Sequence, residues 1–409
     1  MSSASGPLEG LRVLDITTMI SGGFATTLLA DQGADVVKVE HPEYLDPIRE
    51  WGPFDDGESL WWKGLSRNNR CVTLDLSTAD GQELARDLAA DVDVVFENFR
   101  PGTAERWNLG YEDLREVNEG VIMVRLSGYG QTGPRAQDRG FGSIAEGMSG
   151  FAHVNGFPDS EPLLPPMPLA DLTAAQQAVQ GAMFALFERD LGSGGAAGSG
   201  SGEGQVVDVS LYEPLSRLFV GDIEGYDRLG RVRQRTGNAS DTTAPRNLYE
   251  AADGYVALSA SAQSIFENVM SAIGREDLVD DPRVEDNDSR VAHSEVLDEA
   301  IEDWTSERPR GEVIETMTEH GAIVGPIYDI ADVFEDEQYA ARNDIVETRD
   351  GADGDRTIKT HAPIPKFSRT PGEVRYAGPD PGSHNETVYL DELGLPRERY
   401  EALREQGVI

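Results

Sequence analysis

Short, nearly unbroken apolar runs recur along the first half of the chain and alternate with segments of helical period. Leu11–Ile16, Ala34–Glu40, Val72–Leu76, Val92–Phe96, Val121–Ser127 and Val206–Ser210 read as strands. Their Val/Ile/Leu-rich character predicts a parallel sheet covered on both faces. Thr17–Gly23 reads as a glycine-bearing turn and Phe24–Gln32 as a helix ended by Gly33, so the first two strands frame a right-handed βαβ unit. Ser77 reads as the cap of a helix through Ala89. A longer helix is predicted after Pro165-Pro166-Met167-Pro168, where Leu172, Ala175, Val179, Ala182, Met183 and Leu186 fall at helical spacing. Asp171 stands at the predicted N-cap of that helix. On local evidence it is a carboxylate aimed at free backbone N–H groups.

From about Gly230 the pattern changes. Asn247–Ala251, a turn at Asp253-Gly254 and Tyr255–Ala260 predict a hairpin; helical segments follow near 264–273, 290–304 and 310–320. The remainder from Asp344 is Pro-rich and irregular before a short helix near 397–406. The predicted architecture is α/β: a Rossmann-like parallel-sheet large domain (1–225), a smaller α+β domain with linkers (226–340), and a C-terminal segment (341–409). Gly192–Gly204, a Gly/Ser/Ala stretch that supplies no core, reads as a flexible surface loop.

Composition narrows the function classes. The 409 residues carry 35 basic against 74 acidic side chains, a formal charge of −39. Such a surface repels nucleic acid and anionic membranes, so neither is an expected partner. The acidic residues are spread over every segment rather than gathered in a tail, and lysine occurs only at Lys38, Lys63, Lys359 and Lys366. At molar salt the Debye length shrinks to about 3 Å and self-repulsion is screened. The expectation is a halophilic cytoplasmic protein. One cysteine, Cys71, excludes an internal disulfide, and the six histidines show no ligand spacing, so no metal site is expected. No apolar run reaches the length of a membrane span, and MSSASGPLEG has no signal-peptide pattern.

In parallel α/β folds function gathers in loops beyond the strands' carboxyl ends. Ser21-Gly22-Gly23 lacks the G-x-G-x-x-G spacing of a dinucleotide site, so Glu40 after the second strand reads as a strand-end carboxylate. Two other loops are distinctive: Asn98-Phe99-Arg100-Pro101-Gly102, and Gly128-Tyr129-Gly130-Gln131-Thr132-Gly133-Pro134. With Leu8–Asp15, Leu29–Glu40, Asn68-Asn69-Arg70, Gly204–Leu211 and the central Asp171, these stretches follow one another as they do in the family III CoA-transferases, which the chain resembles nearly end to end. That family also includes carnitine, formyl-CoA and α-methylacyl-CoA racemase branches.

The resemblance implies a site for a coenzyme A thioester, bound as substrate rather than as a permanent cofactor. Met19 and Ile20 match positions at the thioester end, and Asn98, Phe99 and Arg100 match the loop that holds adenine and pantetheine. Leu74 belongs to the same set, and Arg106 and Arg139 match basic positions suited to phosphate. His41 stands where the family often has arginine. Asp171 matches the catalytic aspartate, which is joined in turn to the acyl group and to CoA. Gly237 and Asn238 are expected as a small-domain contribution to oxyanion binding, with Arg235 or Arg246 holding a distal carboxylate. A racemase on the same fold would need a His-Asp pair where this chain has Phe141 and Gly142, neither able to accept a proton; Glu146 is the candidate replacement for a missing acidic contact. A non-catalytic CoA-binding protein is the other reading. The expected reaction moves CoA from succinyl-CoA to a C4–C5 dicarboxylate such as mesaconate, itaconate or malate. Family members are interlocked homodimers of ring-shaped subunits, so a homodimer is expected.

Overall fold

The computed structural model describes residues 6–192, 200–352 and 354–409; part of the Gly/Ser/Ala stretch, 193–199, lies outside them. The chain forms two compact units. One comprises Met1–Phe151, Leu164–Ile223 and Ala340–Ile409, the other Ala152–Leu163 and Glu224–Tyr339. The expected boundary at 225 overlooks Ala152–Leu163, which packs with the smaller unit although large-unit sequence flanks it on both sides.

The larger unit is built on six strands: β1 (Arg12–Asp15), β2 (Asp35–Glu40), β3 (Arg70–Thr73), β4 (Val94–Glu97), β5 (Ile122–Ser127) and β6 (Val206–Ser210). All neighbours are parallel, with Val13 opposite Val36 and Leu14 opposite Val95. The spatial order is β3-β2-β1-β4-β5-β6. This is the doubly wound order, whose crevice opens between β1 and β4, where the direction of winding reverses. The sheet is hydrophobic on both faces. One face packs Leu14, Val37, Val72 and Val95 with Tyr389, Tyr400 and Leu403 from the chain's C-terminal end. The other packs Val13, Val36, Phe96 and Val124 against an alanine-lined helix.

Helix α1 (Met19–Asp31) starts earlier than its glycines suggest. Ser21, Gly22 and Gly23 are buried in its first turns, not in a turn before it. A Cβ on Gly22 would stand 2.1 Å from the Thr17 hydroxyl. Glycine is required here for close approach, not for chain reversal. Helix α2 (Ala79–Ala89) is capped by Thr78, whose hydroxyl accepts from Gly81 N–H, rather than by Ser77. Helix α3 (Gly142–Met148) precedes α4 (Leu169–Leu191), the long helix of this unit. The buried face of α4 is Ala170, Ala174, Ala175, Ala178, Ala182 and Ala185, small side chains that let it lie close against α1 and the sheet.

The smaller unit holds an antiparallel sheet of β7 (Arg246–Ala251), β8 (Gly254–Ser259) and β9 (Val324–Pro326), with β8 central. The helices Gln263–Ala272, Ser294–Thr305 and Arg310–Glu319 cover it, burying Tyr249, Phe266, Leu297, Ile301 and Met317. The C-terminal part of the larger unit is more ordered than its proline content suggests. It contains the hairpin β10 (Ile345–Arg349) and β11 (Thr357–His361), a π-helical turn Glu386–Glu392 and a final helix Arg397–Glu405. Tyr389 donates to the Thr73 carbonyl and Asp75 N–H to that of Val408, tying this tail to the end of β3.

Candidate active site

Two groups of residues gather at the carboxyl edge of the six-stranded sheet. The first surrounds the β1–β4 switch point. Asn98, just past β4, grips the loop after β1 from both sides: its Oδ1 accepts from Thr18 N–H at 2.9 Å and its Nδ2 donates to the Thr18 carbonyl at 2.6 Å. Met19 follows at φ 65°, a left-handed conformation that costs a non-glycine residue energy. Its N–H donates to both carboxylate oxygens of Asp46 at 3.1 Å. Asp46 is itself braced by the fully buried Lys38, 3.6 Å away, which also pairs with Asp15 at 3.4 Å and donates to the Thr17 carbonyl at 2.6 Å. Burial would lower the Lys38 pKa, but Asp15, Asp46 and Glu40 together hold the ammonium above its usual value. The strained loop is thus fixed from below by a buried ionic network.

A cavity of about 240 Å³ opens beside this loop, lined by Ile16, Val39, Leu74, Leu76, Phe99 and Trp107, with His41, Tyr44 and Asp75 among its polar edges. Phe99 meets Trp107 edge to face at 4.9 Å, making an aromatic wall. His41 Nδ1 accepts from Glu43 and Tyr44 N–H, and its Nε2 lies 3.5 Å from Asp75. Glu40 pairs in two places with Arg49, at 2.8 and 2.7 Å, as befits a strand-end carboxylate. Leu74, His41 and Phe99 therefore share one cavity. Ile20 does not: it is buried with Ile48, Trp62, Leu65 and Cys71. Arg100, Arg106 and Arg139 are exposed and make no ion pair among the described residues. Arg106 bonds the Gly102 carbonyl and the Thr103 hydroxyl, and Arg100 donates to the Gln137 carbonyl.

The second group surrounds Asp171. The residue is not an N-cap. Pro168 precedes α4, and Asp171 is its third residue, turned inward. Capping is supplied from α3 instead: Glu146, 3 % exposed, accepts from Ala170 N–H at 3.4 Å. Two other N–H groups of this turn are committed: Leu169 to the Met167 carbonyl and Leu172 to that of Pro168. Asp171 lies against Gly142 of α3, and the Ser21 hydroxyl of α1 favours its charged form. Burial, then the charge of Glu146, raises its pKa from 3.8 to about 6. That carboxylate is ionised at neutral pH yet more basic than an ordinary one, which suits a nucleophile.

In the smaller unit Gly237 adopts φ +62°, and its N–H donates to the Gly156 carbonyl at 3.0 Å. A Cβ there would come within 2.6 Å of the Phe157 ring. Arg235 donates to the carbonyls of His153 and Phe157, and Arg246 to that of Asn238. Those guanidinium groups hold loop backbone. Among the described residues no group of three His, Cys, Asp or Glu side chains is placed to hold a metal ion, and no helix is long and apolar enough to cross a membrane. Lys38, Asp46, Trp107 and Ser21 were not singled out by sequence. For Lys38 the signal was present: a lone lysine inside the apolar run Asp35–Glu40.

A doubly wound sheet with a cavity at its switch point and a half-buried carboxylate of raised pKa at its edge defines a class: an α/β protein with a ligand crevice and a reactive carboxylate. The CoA-transferase family III model matches residues 8–385, and the chain belongs to that family. It is 40 % identical over 405 residues to the succinyl-CoA–D-citramalate CoA-transferase of Chloroflexus aurantiacus, covering 98 % of each chain. It is 37 % identical over 407 residues to the beta subunit of that organism's succinyl-CoA–L-malate CoA-transferase, again over 98 % of each. The crystal structure of a CAIB/BAIF family protein from Brucella suis superposes with a TM-score of 0.83 at 30 % identity, covering 95 % of this chain and 99 % of that one. The protein is a CoA-transferase, and CoA thioesters are substrates of its family.

Proposed function

We propose that the chain moves CoA from succinyl-CoA to a C4–C5 dicarboxylate such as mesaconate, itaconate or malate, with Asp171 as the covalent nucleophile. The observation that carries this reading is the environment of Asp171: a half-buried carboxylate set against Gly142 and raised to about 6. A carboxylate oxygen of Asp171 attacks the thioester carbonyl, the C–S bond breaks, and CoA leaves as thiolate with the electron pair. The thiolate attacks Cγ of Asp171 in the resulting anhydride, releasing succinate and leaving an aspartyl-CoA thioester. The acceptor carboxylate attacks that thioester and displaces the thiolate, which then attacks the acceptor's own acyl carbon. Asp171 is freed and the thioester bond is retained throughout, so no other energy source is needed.

The cavity beside Asn98 suits the coenzyme. Leu74 and Phe99 offer apolar contact to pantetheine or adenine, and Arg100, Arg106 and Arg139, which have no carboxylate partner among the described residues, offer guanidinium groups to phosphate. Met19, held in a strained loop, and Ile20, fixed in the core behind it, shape the thioester end, with His41 at the rim. Gly237 and Asn238 belong to a loop fixed by Arg235 and Arg246, one or other of which we assign to the acceptor's distal carboxylate. Named relatives that transfer CoA from succinyl-CoA to citramalate or malate support the choice of donor and acid class.

A homodimer fits the exposed apolar side chains along 218–232: Leu218, Val220, Ile223 and Leu229 are 61 %, 82 %, 70 % and 79 % exposed in the single chain. The test is an assay at high salt with succinyl-CoA against a panel of mono- and dicarboxylates. Transfer to a C4–C5 dicarboxylate is expected. Transfer confined to monocarboxylates would overturn the substrate assignment and leave the family untouched.

A further inference from the structure

The mechanism above uses one carboxylate, yet the structure sets a second, fully buried one, Glu146, beside it. Gly142 and Glu146 are four residues apart on α3, so both face the same way, one turn apart. The Gly142 end of that face abuts Asp171: a Cβ at 142 would stand 2.2 Å from its Oδ2. The Glu146 end abuts the first turn of α4, where it accepts from Ala170 N–H, the residue just before Asp171. Burial raises the Glu146 pKa, and the N–H groups at the start of α4 oppose that rise by favouring its charged form.

Other charged groups around α4 are committed elsewhere. Arg125 on β5 bonds Glu97 and Glu105; Asp208 on β6 accepts from Gln131 N–H; Asp31 on α1 pairs with Arg67. Glu213, which follows β6, accepts from the Ser210 hydroxyl. Among the described residues, Glu146 is the one whose charge acts on Asp171.

We propose that Glu146 is a positioning residue of the transfer reaction: a fixed negative charge that orients the start of α4 and favours the acylated state of Asp171 over its free carboxylate. This rests on the assignment of Asp171 as nucleophile. Acylation converts the Asp171 carboxylate to a neutral anhydride or thioester, which removes the repulsion between the two carboxyl groups. Glu146 therefore makes the resting carboxylate more basic and shifts the covalent equilibrium toward enzyme-bound acyl and CoA. Glutamine at 146 keeps the shape and the oxygen that accepts from Ala170, but removes the charge.

The test compares wild type with E146Q, E146A and E146D. Asp171 is titrated directly by infrared difference spectroscopy, its band identified by subtraction of D171N. In E146Q and E146A the titration midpoint is expected to fall, by roughly half to one pH unit, while E146D restores it. The acid limb of kcat/KM moves down in parallel, and plateau kcat drops about three- to tenfold, since a less basic carboxylate is a weaker nucleophile. KM for succinyl-CoA stays within about twofold, because Glu146 does not line the CoA cavity. The second neutral variant guards against misfolding of the first. An unmoved Asp171 titration in a folded neutral variant overturns the proposal. A moved titration with no CoA transfer by wild type overturns the function of Asp171 instead, so the two failures are distinguishable.

Discussion

The carboxylate of Asp171 occupies the space that a Cβ on Gly142 would need: the two would stand 2.2 Å apart. Glycine at 142 is a steric condition of the site. It lets the first turn of α3 lie directly against Asp171.

G142A therefore displaces either the Asp171 side chain or the helix above it. A shift of about 1 Å in a reacting group costs on the order of a hundredfold in rate. We expect kcat/KM to fall by about that factor while the far-ultraviolet circular dichroism is unchanged. Wild-type activity in G142A would show that the carboxylate has room to spare.

The pH profile follows from the raised pKa of Asp171. The ionised form attacks, so kcat/KM should fall as pH drops through about 6 and level off above it. For stability the sign is opposite to that of a salt-bridged aspartate. A folded pKa raised above 3.8 means that the protonated group favours folding at low pH and that this contribution is lost as pH rises through about 6. At pH 7 ionised Asp171 costs up to roughly 3 kcal/mol. D171N should therefore melt higher than wild type at pH 7.5 and no higher at pH 4, as measured by scanning calorimetry at constant salt.

Asn98 holds Thr18 through two hydrogen bonds at the mouth of the cavity. N98A should raise KM for the acyl-CoA and also lower kcat, since the strained Met19 backbone loses its tether. R106A should raise KM alone, about tenfold for a lost charged hydrogen bond. Steady-state kinetics with saturating acceptor separates the two patterns.

The charge of −39 predicts a melting temperature that rises between 0.1 M and 2 M KCl as repulsion is screened. A flat or falling melting temperature would contradict a surface built for high salt.

Sedimentation at 2 M KCl should give twice the chain mass, with no active monomer on dilution. Active monomer would leave Leu218, Val220 and Leu229 exposed for some other reason.

The six strands were legible because parallel strands buried on both faces read as unbroken Val/Ile/Leu runs, and the β7–β8 hairpin was marked by Asp253-Gly254. The start of α1 was hidden because Gly22 answers to Thr17 in space, not to its chain neighbours. Asp171 read as an N-cap because its real cap, Glu146, arrives from another helix. Hairpin β10–β11 runs straight into Pro363, Pro365 and Pro371, whose local signal outweighs its alternation. Of the proposed site, Asp171 and Asn98 are named by motif resemblance. The Lys38–Asp15–Asp46 network and the Phe99–Trp107 wall depend on contacts that no spacing reveals.

The claim beneath all of this is that the Asp171 carboxyl becomes covalently joined to CoA. Wild type is mixed with succinyl-CoA without acceptor at high salt, quenched in acid and digested, and the peptide containing Asp171 is weighed by mass spectrometry. We predict that this peptide gains the mass of one CoA, and that D171N shows no adduct and no transfer. An adduct on another residue, or full transfer activity in D171N, would contradict the account.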